Sequence, residues 1–191
     1  MSQFLIEALG SFVFGGLGWS FSEYVIHRWG AHEKRNRTPF QKEHLQHHSK
    51  GNWFAPTWMK VLTAGSIVPV VGGIGVLLVG LVPGVGFALG YAAVYLGYEL
   101  SHRRLHTHPP VNALGRTLRR HHFHHHFGNA RVNHGVTSRV WDRVFGTLVE
   151  PGMIRVPAHL APHWLLGDDG LVRPAYADDY VRAGSAAPRA A

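Results

Sequence analysis

Long apolar runs alternate along this chain with polar stretches rich in histidine and arginine. Phe4 to Ile26 holds two carboxylates, Glu7 and Glu23, and no Lys or Arg. Val61 to Val82 is free of charge, as is Gly84 to Tyr98, which reaches bilayer length when extended to about Arg103. A membrane-spanning helix needs roughly 20 mostly apolar residues, so the pattern predicts three, at about 4–26, 61–82 and 84–103. The glycines of the second and third runs are tolerated in membrane helices and allow close helix approach. Pro69 predicts a kink, and Pro83-Gly84 a turn between the second and third helices.

Shorter polar helices follow from capping signals. Gly30 is a plausible stop for the first helix once it has passed the bilayer, placing His32 beyond the helix end. Lys34 to Pro39 reads as a basic linker. Thr38-Pro39 then supplies a cap and first-turn proline for a short helix running through His48. Trp53, Phe54 and Trp58 stand where interfacial aromatics belong. Asn112 caps a helix to about Phe127, closed by Gly128; a loop, 129–137, leads to a last short helix near Ser138 to Phe145. Residues 151–191 read as a tail rich in Pro and Gly, its last ten residues disordered. The predicted fold is therefore all-α, a membrane domain over 1–150 with about three transmembrane helices and a cytoplasmic helical cap.

The charge distribution orients this arrangement. A net charge of +8 would suit nucleic acid, but all 19 Lys and Arg fall in 28–60 or 103–189. Three crossings put both basic regions on one side, and the positive-inside rule makes that side cytoplasmic. This argues against a nucleic-acid partner and for a membrane-embedded chain. The N-terminus lacks the basic start and cleavage site of a signal peptide, so the first helix is expected to be retained. With no cysteine among 191 residues, disulfides and thiolate metal sites are excluded.

Chemistry enters with histidine. Ten of the 16 fall into four spaced groups: His27 and His32; His44, His47 and His48; His102 and His106; His122, His125 and His126. The predicted topology brings all four to the cytoplasmic ends of the membrane helices. Imidazole is the commonest metal ligand, and ten are far more than one four-coordinate zinc uses. Residues three or four apart share a helix face, so His44 with His47, His102 with His106, and His122 with His126 can each serve one ion. His48 and His125 each point roughly 100° away from a histidine neighbour and are expected to serve the other ion or none. Metal-bound imidazoles donate their other N–H to a carboxylate or carbonyl, which makes Glu23, Glu99, Asp142 and His134 candidates for the surrounding layer. Among the remaining histidines, His108 can also reach the site; His121 and His124 are expected to face solvent, and His159 and His163 to be bystanders.

The order HX4H, HXXHH, HX3H, HXXHH, with the stretch Gly135 to Thr147 (GVTSRVWDRVFGT), resembles the fatty acid hydroxylase / sterol desaturase superfamily, closest to fatty acid 2-hydroxylases and their bacterial relatives. The resemblance covers roughly residues 15–150. It implies a membrane di-iron oxygenase that uses O2 to hydroxylate an unactivated C–H bond of a lipid, a fatty acyl chain foremost. It also implies one iron on His27, His32, His44, His47 and His125 and the other on His48, His102, His106, His122 and His126, with zinc able to replace iron on purification. Electrons would come from an external ferredoxin or cytochrome b5-like donor with its reductase, and the bacterial inner membrane suits such a chain better than the endoplasmic reticulum. Desaturation, or hydroxylation of a carotenoid or sterol, is the alternative on the same site. A metal transporter is disfavoured because the middles of the apolar runs hold no His, Asp or Glu. A zinc hydrolase would leave seven histidines without a purpose.

Overall fold

The computed structural model describes residues 2–33 and 38–184. Positions 34–37 of the expected linker and 185–191 of the expected disordered end lie outside the described residues. Helix α1 (Gln3–Val25) continues as a π-helical segment, Ile26–Glu33; then come α2 (Pro39–Ser49), α3 (Thr57–Val79), α4 (Leu81–Thr107), α5 (Ala113–Phe127) and α6 (Val140–Val144). The chain divides into two compact units. One comprises the chain to Glu23 with Ala55–Leu100, and the other Tyr24–Phe54 with the chain from Ser101 onward.

The first unit is built from apolar helices. Among the described residues, three helices are long and apolar enough to cross a bilayer: Gln3–Glu33, Thr57–Val79 and Leu81–Thr107. Their outward surfaces are apolar, with Leu77 and Leu78 86% and 77% exposed, a surface that water does not favour and lipid does. Small residues let the backbones touch. A Cβ on Gly15 would lie 2.0 Å from the Phe87 carbonyl oxygen, and one on Gly90 1.9 Å from that of Phe12, so α1 and α4 meet where any larger residue would hold them apart. Trp19 packs edge-on against Tyr91 and Tyr95, with ring centroids 5.3 and 4.6 Å away.

The expected turn at Pro83-Gly84 lies earlier. Gly80 adopts φ +91°, the left-handed region open to glycine, and Pro83 sits in the first turn of α4, where its missing N–H has no helical acceptor to lose. Pro69 lies within α3 without ending it.

In the second unit both predicted caps form. The Thr38 hydroxyl accepts from Gln41 N at 3.1 Å, and the Asn112 side chain from Gly115 N at 2.8 Å. Gly30 does not stop the first helix. The backbone slackens into the π-helical segment Ile26–Glu33, whose i→i+5 hydrogen bonding widens the turn and brings residue i+5 back toward the face of residue i. The four-residue gap between His27 and His32, awkward on an α-helix, is thereby eased by this segment.

Residues 151–184 are also more structured than a tail. Strands β1 (Ile154–Val156) and β2 (Tyr180–Arg182) pair in parallel, Ile154 opposite Tyr180. Phe123 of α5 packs into a core with Ile154, Val156, Trp164, Leu165 and Tyr180. The buried Asp179 carboxylate takes ion pairs from Arg116 and Arg120 of α5, the latter at 3.2 Å. Strands of three residues are too short to show a period of two, so the hydropathy pattern did not reveal them. The chain is mostly helical, as expected, with this small parallel pair as the exception.

Candidate metal centre

All ten spaced histidines lie in the second unit, and their ring nitrogens converge into two clusters. The first comprises His27, His32, His44, His48 and His125; the second comprises His47, His102, His106, His122 and His126. Within each, one nitrogen per residue lies within 4.8 Å of all the others. The clusters share a wall, where the rings of His48 and His126 stack at 3.9 Å, tilted by 5°.

The grouping corrects the expected one at a single pair: His47 and His48 exchange places. On an α-helix, residue i+4 is turned about 40° from residue i and residue i+3 about 60° the other way. The smaller angle wins in both HXXHH motifs. His44 stays with His48, and His122 with His126; the third member of each motif crosses over, His47 to the second cluster and His125 to the first. The crossing histidines are held alike. His47 Nδ1 donates to the Trp53 carbonyl at 2.7 Å, and His125 Nδ1 to that of Val132 at 2.8 Å. Both bonds leave Nε2 as the lone-pair nitrogen facing inward.

The nitrogen spacing fits cations better than hydrogen bonds. His48, His44, His32 and His125 form a row of Nε2 atoms separated by 3.0, 2.9 and 3.0 Å. In the second cluster, His106 and His122 Nε2 lie 2.9 Å apart. A ring nitrogen has one proton or one lone pair to offer, so in this row each inner nitrogen would have to share it between two neighbours, a poor arrangement for hydrogen bonds. Ligands at about 2.1 Å and right angles around one ion would stand about 3.0 Å apart. His27 Nε2 and both nitrogens of His126 are buried without a hydrogen-bond partner, an expensive state for polar atoms unless an ion meets them. Burial, reinforced by neighbouring imidazoles, holds His44, His122, His125 and His126 well below the usual histidine range. The rings are therefore neutral near pH 7, the form that binds metal.

The surrounding layer departs from expectation. His27 Nδ1 donates to the carbonyl of His134, so a backbone oxygen takes the place foreseen for Glu23, which is itself buried. Glu99 meets Lys60 in an ion pair. The imidazole of His134 lies beside the first cluster, 5.3 Å from the ring of His125 and 5.7 Å from that of His27, while its Nε2 donates to Arg131 O at 3.1 Å.

Asp142 meets no cluster member. Its fully buried carboxylate accepts from His134 N and Gly135 N, both at 2.8 Å, from Thr147 Oγ1 at 2.7 Å, and from His121 Nε2 at 3.0 Å. Burial alone would raise its pKa, but these donors outweigh it and hold the carboxyl below its ordinary value. His121 is thus buried rather than solvent-facing, because its ring is turned onto the buried Asp142 of α6. His124 is half-buried; His108, His159 and His163 are exposed and take no part in the clusters. Phe54, one of the three aromatics expected near the interface, lies over the second cluster, its centroid 5.3 Å from His47 and 5.8 Å from His106.

Helices suited to crossing a bilayer, joined to a unit holding two convergent nests of five imidazoles, define a membrane protein with a candidate dinuclear metal centre. The fatty acid hydroxylase family model matches residues 12–147, and the chain belongs to that family. It is 30% identical over 164 residues to dihydroceramide fatty acyl 2-hydroxylase FAH1 of Arabidopsis thaliana, covering 75% of this chain and 62% of that protein. It is 31% identical over 156 residues to fatty acid 2-hydroxylase of Mus musculus, covering 74% and 40%. Among solved structures, full-length Scs7p, of which only the hydroxylase domain is visible, matches with a TM-score of 0.59 at 25% identity, covering 78% of this chain and 58% of that one. The chain therefore spans between 40% and 62% of the length of these relatives.

Proposed function

We propose that the chain is an O2-dependent hydroxylase of a membrane lipid, acting on an unactivated C–H bond of a fatty acyl chain, and that each cluster holds one iron ion. The observation that carries this reading is the pair of five-imidazole nests in a chain of the fatty acid hydroxylase family. The relatives named above as acyl and fatty acid 2-hydroxylases support the substrate class. Iron at the two positions would supply the redox chemistry that activates O2. The overall balance is R–H + O2 + 2 electrons + 2 protons giving R–OH + H2O. The electrons come from an external carrier, a ferredoxin or a cytochrome b5-like protein with its reductase.

The protein's own residues do three things in this scheme. Carbonyls of Trp53, Val132 and His134 fix the tautomer and direction of His47, His125 and His27. Burial keeps His44, His122, His125 and His126 neutral and available. Phe54 covers His47 and His106 and excludes water from that flank. No nucleophile or acid–base pair is required. The clustering of all Lys and Arg in 28–60 and 103–189 supports a cytoplasmic active face, in a bacterial inner membrane.

The test is expression with a ferredoxin and its reductase, followed by lipid profiling for acyl chains that have gained one oxygen. Zinc can displace iron on purification, so iron loading is verified in parallel. An iron-loaded, reduced protein that yields no oxygenated lipid overturns the proposal; an unsaturated product without added oxygen transfers it to desaturation.

A further inference from the structure

Among the buried charged side chains outside the clusters, Asp142 and Arg119 each gather backbone groups. Asp142 gathers the amides of His134 and Gly135 with the Thr147 hydroxyl and His121. The loop it gathers is the one whose carbonyls at Val132 and His134 orient His125 and His27, both of the first cluster. Asn133 tightens the same loop: it adopts φ +58°, and its side chain exchanges two hydrogen bonds with the backbone of Val149, at 2.9 and 2.8 Å.

Arg119 serves the other side. It is 5% exposed and lies among carbonyls. Its guanidinium donates to Leu105 O at 3.1 Å, Arg104 O at 2.9 Å, His108 O at 2.5 Å and Gly115 O at 3.1 Å. Three of these lie at the C-terminal end of α4 and the residue after it, where the helix dipole is negative and helical donors run out beyond the one that Arg104 O receives from His108 N. Trp164 Nε1 donates to a further carbonyl there, His106 O, at 3.1 Å, and its ring lies under the guanidinium at 5.7 Å. That helix end carries His102 and His106, while Arg119 itself stands one turn before His122. The second cluster is thus tied across two helices by a five-donor fork that a lysine cannot reproduce.

We infer that Asp142 and Arg119 are positioning residues, Asp142 for the ion of the first cluster and Arg119 for that of the second, so that either ion can be lost alone. This inference rests on the dimetal reading above. In D142N an amide must turn its NH2 toward some of the N–H donors that the carboxylate accepted, loosening the 132–135 loop. In R119M the end of α4 loses its fork.

The test counts ions in the purified full chain, with Co2+ as the probe, by ligand-field absorption and elemental analysis of bound metal. The wild type is expected to bind two ions. D142N and R119M are each expected to keep one tightly and bind the second about 10–100-fold more weakly. Which ion is lost is read in a background lacking the first site, H44A/H48A. Adding D142N there still leaves one ion, and adding R119M leaves none. Circular dichroism checks that each variant keeps its helices, and R119K tests the same position if R119M does not. Loss of both ions, or of neither, in folded D142N or R119M overturns the inference, as does the reverse pattern in the H44A/H48A background. A wild type that binds fewer than two ions instead overturns the dimetal reading itself.

Discussion

The two histidine clusters are alike in what they contain and unlike in how they are held. Each has five imidazoles, a pair from the end of a long helix, two from one HXXHH motif, and one borrowed from the other motif. The borrowed ring in each is aimed by a carbonyl a few residues downstream. Beyond that layer the likeness ends. A buried anion gathers amides around the first cluster, and a buried cation gathers carbonyls around the second. The number and kind of rings are thus repeated, whereas the support depends on which backbone end each neighbourhood happens to present, N–H groups of a loop or C=O groups of a helix.

The comparison breaks most sharply at the exchanged histidines. H47A lies on α2 yet is expected to cost the ion shared with α4 and α5, and H125A, on α5, the ion shared with the π-helical segment and α2. Both should drop lipid oxygenation to background. If H47A and H44A/H48A prove to empty the same position, the exchange is wrong; metal counts on the single and combined variants decide it. A smaller effect is expected from Gly90→Leu, far along the chain from either cluster. Its side chain would collide with the Phe12 backbone, at a cost of about 1–3 kcal/mol or more for overpacking. The yield and thermal midpoint of the folded protein should fall, while the metal count per folded chain stays equal at both positions.

Acid sharpens the same comparison, because only one of the two supports titrates. The Asp142 carboxyl is held below its ordinary value, so the unfolded chain takes up its proton first as pH falls. Its contribution is complete above the usual carboxylate range and is lost as pH drops below about 4. In metal-free protein, the stability gap between wild type and D142N, about 1–3 kcal/mol at neutral pH, should close across that interval. The gap between wild type and R119M should not. A gap for D142N that is independent of pH would show that the carboxylate charge is not what holds the loop. The smallest effect belongs to the two caps. T38A and N112A should each lower stability by about 1 kcal/mol, equally for the two arms and without changing metal stoichiometry.

Much of this architecture is legible in the residues because it is local. The apolar runs marked the three long helices to within a few residues, and Thr38-Pro39 and Asn112 marked the starts of α2 and α5. The ten histidines that converge are the ten singled out by spacing. What escaped was of two kinds. Some elements were too short or irregular to leave a period, such as the β1–β2 pair and the π-helical segment that absorbs Gly30. Others were contacts whose acceptor is backbone: the carbonyls of Trp53, Val132 and His134 carry no side-chain signature, so attention fell on the carboxylates Glu23 and Glu99. His121 looked solvent-facing because nothing in α5 itself announces that Asp142 of α6 packs against it.

Sequence alone therefore determined which residues are helical and which histidines are available, since helix formation and spacing follow from neighbours along the chain. Only the tertiary structure decided how ten histidines divide into five and five. In an α-helix the third and fourth residues onward both lie near the first, about 60° one way and about 40° the other. Which of them joins it depends on what the opposing helix presents, and that is settled when the helices pack.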